Sequence, residues 1–317
     1  MPFRCSPAAF QAQILACFPQ VPAQAAYETI RAYPSVESLR DVICNGLFPN
    51  LSSISRLAWE RAVEKACRIQ EQAQRLDVAM LCPLDASYPS LLAGIPDPPL
   101  VLYVKGTLHP EKPHLACVGT RKPTRSGRNA AWRLAAAAAK GGVVVVSGLA
   151  LGIDAIAHEQ ALYHQSSTVA VLPYSLEQVY PRQHESLAAQ IIEEGGALVS
   201  EVPFGVSLER RLFVRRNRIQ SGLSHATLFV QGAYHSGSMH TARFALSQQH
   251  PLWVWEPGSV DKSKWQGSGN THLLEQSIQE SAIIAIPSVA LFQNNLRKLP
   301  GYKPARFISH PLIQRAS

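Results

Sequence analysis

The chain has 317 residues, 46% of them hydrophobic, and carries a formal net charge of +8. That is enough apolar material for one large core or two domains, and it excludes a disordered chain. The basic balance points to anionic partners such as nucleic acid or an anionic membrane and does not choose between them. The six cysteines (Cys5, Cys17, Cys44, Cys67, Cys82 and Cys117) form no C-x-x-C pair, which disfavours a zinc site or a secreted disulfide framework. They are expected to be free, buried thiols in a reducing cytosol. Among the eleven histidines, His235 and His240 stand close together without a carboxylate, so no metal site is expected.

Residues 1–20 lack the apolar core and cleavage pattern of a secretory signal. Residues 1–76 read as helical, with apolar residues at three- and four-residue spacing in Phe10–Phe18 and Leu57–Ile69. Pro19, Pro22, Pro34 and Pro49 cut the region into short helices. Such a module could cap the larger domain or touch DNA. Residues 77–113 are proline-rich and end in Pro98–Gly106, which reads as a linker with one or two strands packing on the next domain.

From His114 short apolar runs alternate with helices. The strands are Leu115–Val118, Val143–Val146, Thr168–Leu172, Ala197–Ser200, Thr227–Val230 and Leu252–Trp255. The intervening helices are Ser126–Lys140, Gly152–His164, one near His184–Glu194, part of the arginine-rich segment, Ser238–Gln248 and one near Thr271–Gln279. Leu134–Ala157 is apolar, but Lys140, Gly141 and Gly142 interrupt it, so it is not a membrane span. A cytoplasmic protein without membrane association is expected. Six strand–helix units make an open, Rossmann-like parallel sheet with helices on both faces. Ligands of such a sheet lie beyond the carboxyl ends of its strands. Residues 286–317, with Leu291, Phe292, Tyr302 and Phe307, are too short and irregular for another domain.

The residues at those strand ends suit an anion. The first strand ends in Gly119–Thr124, where glycine permits close backbone approach and Thr120, Arg121 and Lys122 can meet a phosphate. No G-x-G-x-x-G occurs, which disfavours a dinucleotide. The second strand ends in Ser147 and Gly148, and Gly152 opens a helix whose free amides can hold an anion. Asp154 and His158, four apart, share a helix face. A structural hydrogen bond between them is preferred to an acid/base pair, because no nucleophile accompanies them. The fifth strand leads to Ser236, an N-cap, then Gly237, Ser238 and Thr241. Ordinary capping explains these residues, but the nearby arginines favour anion binding.

Those arginines are the strongest signal. Five fall within Arg210–Arg218. Arg210 and Arg211 read as a solvated face. Arg215, Arg216 and Arg218, with Asn217 among them and Phe213 beside them, suit a sugar-phosphate backbone with stacked bases.

Together these residues carry a family resemblance. From about Leu76 to Ala282 the chain resembles the DNA-processing protein A (DprA, or Smf) family. The resemblance rests on Tyr88-Pro89, Asp97–Gly106, Val118–Pro123, Ser147–Ala150 with Gly152–Asp154, Tyr180-Pro181 and Ser200-Glu201. It continues in Arg216–Ile219 with Gly222–Ser224, Ser236–Ser238 with Thr241–Arg243, Pro257-Gly258 and Gly269-Asn270.

The resemblance implies a Rossmann-like domain that binds single-stranded DNA, forms homodimers and loads a RecA-type recombinase, protecting incoming DNA in natural transformation. It implies no catalytic step and no cofactor. The implied DNA pocket falls on Gly119, Arg121, Ser147, Gly148, Arg215, Arg216, Asn217, Arg218, Ser236, Gly237 and Ser238; Lys122, Gly152, Thr241 and Asn270 lie within the same motifs. The implied organisation is a helical module at 1–76 (SAM-like or helix-hairpin-helix-like), a linker with strands at 77–113, the DNA-binding domain at 114–285 and a tail at 286–317 without the winged helix some members carry.

Several positions depart from the family pattern. Leu151 stands where a cation is usual, Pro173 and Ser175 replace two glycines, Glu177 replaces Asp, and Gln231 replaces Glu. Two other readings stay open. One is a nucleotide-binding sensor or nucleoside-phosphate hydrolase of similar layout, for which neutral Gln231 lacks the general base. The other is an interaction protein that keeps the fold without tight DNA binding.

Overall fold

The computed structural model describes residues 5–18, 20–47, 54–256 and 268–303. The expectations for Pro19, Pro49, Pro257-Gly258 and Phe307 fall outside them. One nine-stranded sheet organises the molecule, in the spatial order β1-β2-β6-β5-β4-β3-β7-β8-β9. Its strands are β1 (Ala79–Leu81), β2 (Leu102–Gly106), β3 (His114–Gly119), β4 (Val144–Ser147) and β5 (Thr168–Leu172). Then come β6 (Ala197–Ser200), β7 (Ala226–Gln231), β8 (Leu252–Trp255) and β9 (Ile283–Ile286).

β3 to β9 are parallel. β1 and β2 are not a separate linker layer: β2 pairs antiparallel with β6, and β1 with β2. The chain leaves β3 towards β4, β5 and β6, then returns to the other side of β3 at β7. That reversal makes the carboxyl end of β3 a topological switch point, where an open α/β sheet leaves a crevice.

The apolar runs form strands because both faces are covered, so no polar alternation is needed. In β5, Val169 and Val171 face one core while Ala170 and Leu172 face the other. One face carries α6 (Arg125–Lys140), α7 (Ile153–Tyr163), α8 (Glu185–Glu193) and, from the tail, α12 (Val289–Leu296). The other carries α5 (Ser90–Ala93), α9 (Arg210–Gly222), α10 (Gly237–Ser247) and α11 (Gly269–Gln276). The tail helix seats the edge of Trp253 against Phe292, ring centroids 5.7 Å apart.

The N-terminal helices are α1 (Pro7–Leu15), α2 (Ala23–Ala32), α3 (Val36–Cys44) and α4 (Arg56–Arg75). Ser6, Ser35 and Ser55 cap α1, α3 and α4 by accepting from a backbone amide three residues on. Their apolar faces do not form a core of their own. Ile14, Leu15, Trp59 and Ile69 share one buried cluster with Tyr103 of β2, Leu172 of β5 and Leu198 of β6. The Tyr103 hydroxyl donates to Gln13 Oε1 within it.

All six cysteines are free; Cys82 and Cys117 are buried and the other four half-buried. No described helix is long and apolar enough to cross a membrane. No group of His, Cys, Asp or Glu among the described residues could hold a metal.

Candidate functional site

A cavity of about 410 Å³ opens at the switch point. Gly119, Thr120, Arg121 and Lys122 enter it from the end of β3, and Ala150 and Asp154 from the segment after β4. Phe213, Arg216, Asn217 and Gln220 reach it from α9, and Ser236, Gly237, Ser238 and Thr241 from the start of α10.

Helix α9 is why a basic segment becomes a site. At 3.6 residues per turn, positions 213, 216, 217 and 220 share one face. Arg216 is 6% exposed. Its Nη1 donates to the Val171 carbonyl at 3.0 Å. With its amide turned to suit, Gln220 accepts from Arg216 Nη1 at 3.1 Å and from the Gly148 amide at 3.0 Å. Arg216 forms no ion pair among the described residues. Its Nε is buried without any partner. Burial lowers its pKa, and the charge of Asp154 opposes that.

Asp154 has the mirror-image problem. Burial pushes its carboxyl up, while Arg216 and the Ala150 amide pull it down. A buried guanidinium that lines a cavity without a paired carboxylate favours an anion there.

Arg121 is exposed and lies over the Phe213 ring, 5.5 Å from its centroid. The pair presents a charge beside an aromatic face. Lys122 is exposed beside it. Across the cavity, Asn217 Nδ2 holds the Gly237 carbonyl at 3.0 Å, which fixes the start of α10 against α9. The Ser236 and Ser238 hydroxyls lie 2.8 Å apart. The amides of Gly237 and Ser238 bond to no described residue. A Cβ at Gly237 would meet nothing within 4 Å, so this turn is open to a ligand.

Other expected residues hold the walls rather than the ligand. Arg218 is 4% exposed and donates to Asp97 Oδ2 at 2.9 Å and Glu201 Oε2 at 2.7 Å. Burial lowers its pKa, but Glu201 and Asp97 outweigh that and hold it raised. Arg215 pairs with the same Glu201 at 3.2 Å. These two arginines lie on one face of α9, as their spacing implies, but it faces the buried carboxylate of Glu201 and the exposed one of Asp97 rather than the cavity.

Ser147 is fully buried and donates to the Cys117 carbonyl at 2.6 Å. Asn270, also fully buried, donates to the carbonyls of Val230 and Trp255 and accepts from the Gly232 amide. It clamps the ends of β7 and β8. Two of the α7 amides expected to be free are occupied: Ile153 donates to the Thr120 carbonyl and Ala155 to that of Ala150. Gly152 is needed for its φ of 83° and for close approach to the Thr120 carbonyl. Gly148 leaves room for the Arg216 guanidinium, which a Cβ would overlap.

His158 does not bond Asp154. Its Nδ1 lies 2.8 Å from Thr168 Oγ1, and burial pushes its pKa down to about 3.

Leu151 is exposed and nothing in the structure explains it, but other departures from the family pattern have local partners. Gln231 accepts from the Thr124 amide at 3.0 Å and donates to Thr124 Oγ1 at 3.1 Å. A carboxylate could not donate that second bond, so the side chain serves as a strut to the N-cap of α6. The turn with Pro173 and Ser175 is stitched by the Tyr174 hydroxyl, which donates to the Tyr180 carbonyl and accepts from its amide. Ser175 donates to Glu177, which also accepts from the Gly205 amide. Gln220 is the site residue that sequence reasoning missed, although its spacing of four from Arg216 placed it on the cavity face.

The molecule is thus a Rossmann-like α/β protein with a cationic, hydroxyl-lined cavity at its topological switch point. The family described as DNA recombination-mediator protein A matches residues 79–285, and the chain belongs to that family. It is 39% identical over 216 residues to Protein Smf of Escherichia coli (strain K12), covering 68% of this chain and 56% of that protein. It is 38% identical over 175 residues to the DNA processing protein DprA of Bacillus subtilis (strain 168), covering 55% and 58%.

The chain therefore spans little more than half the length of these two curated relatives. The crystal structure of the Streptococcus pneumoniae DNA processing protein A superposes with a TM-score of 0.71 at 22% identity, over 94% of this chain and 99% of that one. The Helicobacter pylori protein, whose single-stranded DNA binding mode has been described structurally, superposes with a TM-score of 0.60 at 30% identity, over 72% and 98%.

Proposed function

We propose that this chain binds single-stranded DNA without cleaving it and acts as a recombination mediator. In this reading it protects incoming strands and, as a homodimer, delivers them to a RecA-type recombinase during natural transformation. The observation that carries the reading is Arg216: buried, lining the cavity, and outside any ion pair among the described residues. A phosphate supplies the missing counter-charge. Arg121 over Phe213 offers the neighbouring cation and a stacking face for an unpaired base. Family membership and the single-stranded DNA binding of the Helicobacter pylori relative support the same ligand class.

The test is a titration of oligothymidine at several salt concentrations with wild type, Arg121→Ala and Arg216→Ala. Binding is expected to weaken steeply with salt, because each neutralised phosphate releases counterions. Both variants are expected to bind more weakly, and single strands to be preferred over duplex. No binding by wild type at low salt would overturn the proposal.

A further inference from the structure

Helix α6 leads directly away from the cavity. Arg121 and Lys122 line the cavity, and Thr124 caps the helix two residues later. Its inward face is alanine-rich: Ala130, Ala131, Leu134, Ala135 and Ala138 are buried. Its outward face carries Arg125, Arg128, Asn129, Trp132 and Arg133, all exposed. Their spacing of three, four, seven and eight places them in one stripe. From Arg125 to Arg133 the stripe is about 12 Å long.

Two features separate this stripe from an ordinary solvated face. The first is the absence of counterions. Elsewhere several exposed arginines pair with carboxylates one helical turn away, as in Arg56–Glu60 and Arg68–Glu64. On α6 there is none to pair with: residues 112–153 hold seven Lys and Arg and no Asp or Glu. Arg125, Arg128 and Arg133 take part in no ion pair among the described residues. The second is Trp132. Its indole is 50% exposed, four residues beyond Arg128, with no ring packed against it among the described residues. Cations interleaved with an aromatic platform, continuous with a cationic cavity of about 410 Å³, match a polyanion with flat bases.

We infer that the outer face of α6 is the track along which the single strand leaves the cavity, with Arg125, Arg128 and Arg133 holding successive phosphates and Trp132 stacking one base. The inference rests on the single-strand reading of the cavity. At about 3.4 Å per stacked nucleotide the stripe accommodates roughly three nucleotides beyond those in the cavity.

The two ideas separate by probe length. A thymidine dinucleotide, about two nucleotides, occupies the cavity of about 410 Å³ and its mouth, and an oligothymidine of about fifteen also covers the stripe. Wild type, Arg125→Gln/Arg128→Gln/Arg133→Gln and Trp132→Ala are titrated with both, in a salt series, after thermal unfolding confirms that each variant folds. The short probe is expected to bind all three proteins within about twofold.

The long probe is expected to bind the triple variant roughly tenfold or more weakly, with a salt slope shallower by about 2, since each lost phosphate contact removes about 0.7. Trp132→Ala is expected to lose about five- to tenfold on the long probe, and Trp132→Phe to regain most of it. Equal long-probe affinity for wild type and the triple variant overturns the track and leaves the cavity reading intact. A loss in the triple variant that is equal on both probes also overturns it, because the stripe would then act as diffuse attraction. Failure of wild type to bind either probe overturns both ideas. Binding of anionic vesicles that the triple variant loses while it keeps long-probe affinity would assign the stripe to a membrane surface instead.

Discussion

The two faces of α9 carry arginines two residues apart in sequence and opposite in circumstance. Arg218 is buried and neutralised, with Glu201 and Asp97 within 2.9 Å. Arg216 is buried and paired with no carboxylate among the described residues. Two residues on a helix project about 200° apart. Locking Arg218 against Glu201 therefore sets the rotation of α9 and aims Arg216 into the cavity. One arginine holds the helix; the other is held out for a ligand. Equal burial of the same side chain can thus mean opposite things, and the partners decide which.

The contrast breaks if the two arginines behave alike. The largest effect is expected from Arg218→Ala, which leaves Glu201, itself 7% exposed in its side chain, without its main partner. Loss of one member of a buried pair costs about 3–5 kcal/mol. Urea unfolding measures it; in the fraction that folds, single-strand binding is expected to weaken less than in Arg216→Ala, because Arg216 keeps its own bonds to Val171 and Gln220.

Arg216→Ala comes next and inverts the pattern: stability within about 1 kcal/mol of wild type, and a loss of about 1.5–3 kcal/mol in single-strand affinity, roughly ten- to 150-fold. If Arg218→Ala weakens binding and Arg216→Ala weakens only folding, the assignment of the two faces is reversed.

Asp154→Asn sharpens the cavity side. Removing a carboxylate from beside Arg216 is expected to raise single-strand affinity by about 1 kcal/mol, roughly fivefold. It also has a pH signature. Burial raises the Asp154 pKa, so the folded state holds that proton more tightly than the unfolded chain does, at about 3.9. The ionised carboxylate therefore weakens folding at neutral pH, and that penalty fades as pH falls to the unfolded value. Asp154→Asn is expected to be more stable than wild type at pH 7 and to lose the advantage near pH 4, as read from urea midpoints across that range. The smallest effect belongs to Arg210→Ala and Arg211→Ala. Both residues are exposed, and Arg211 pairs only with exposed Glu209 among the described residues. Each is expected to change stability by no more than about 0.5 kcal/mol and to leave short-oligomer affinity unaltered.

How much of this was legible depends on how far apart the determining residues lie. The parallel strands announce themselves because each is a self-contained apolar run, such as Val143–Val146, and the switch point follows from their order. β1 is three residues long, and its pairing depends on β2, so composition alone made the segment a linker. The cavity's cations were visible as types: Arg121, Lys122 and Arg216 were named from their motifs. The role of Arg218 was not, because one of its partners, Asp97, is 121 positions away and no local spacing encodes that contact. Asn270 was hidden in the same manner, with partners on β7 some 38 to 40 positions back. Gln220 differs: its phase on α9 was readable, but a neutral amide among arginines attracts no notice until its bonds to Gly148 and Arg216 are drawn.

The buried cluster that Ile14, Leu15, Trp59 and Ile69 share with Tyr103, Leu172 and Leu198 has a practical consequence. A fragment begun at residue 77 would keep every residue of the cavity, yet it would expose to water the part of this cluster around β1 and Tyr103 of β2 that the N-terminal helices cover. Such a fragment is expected to aggregate or to fail to fold, even though the family match begins only at residue 79. Because the shared cluster joins the first helices to the sheet, the N-terminal helices and the sheet are expected to unfold together, and expression of this protein for biochemistry is best designed from the first helix.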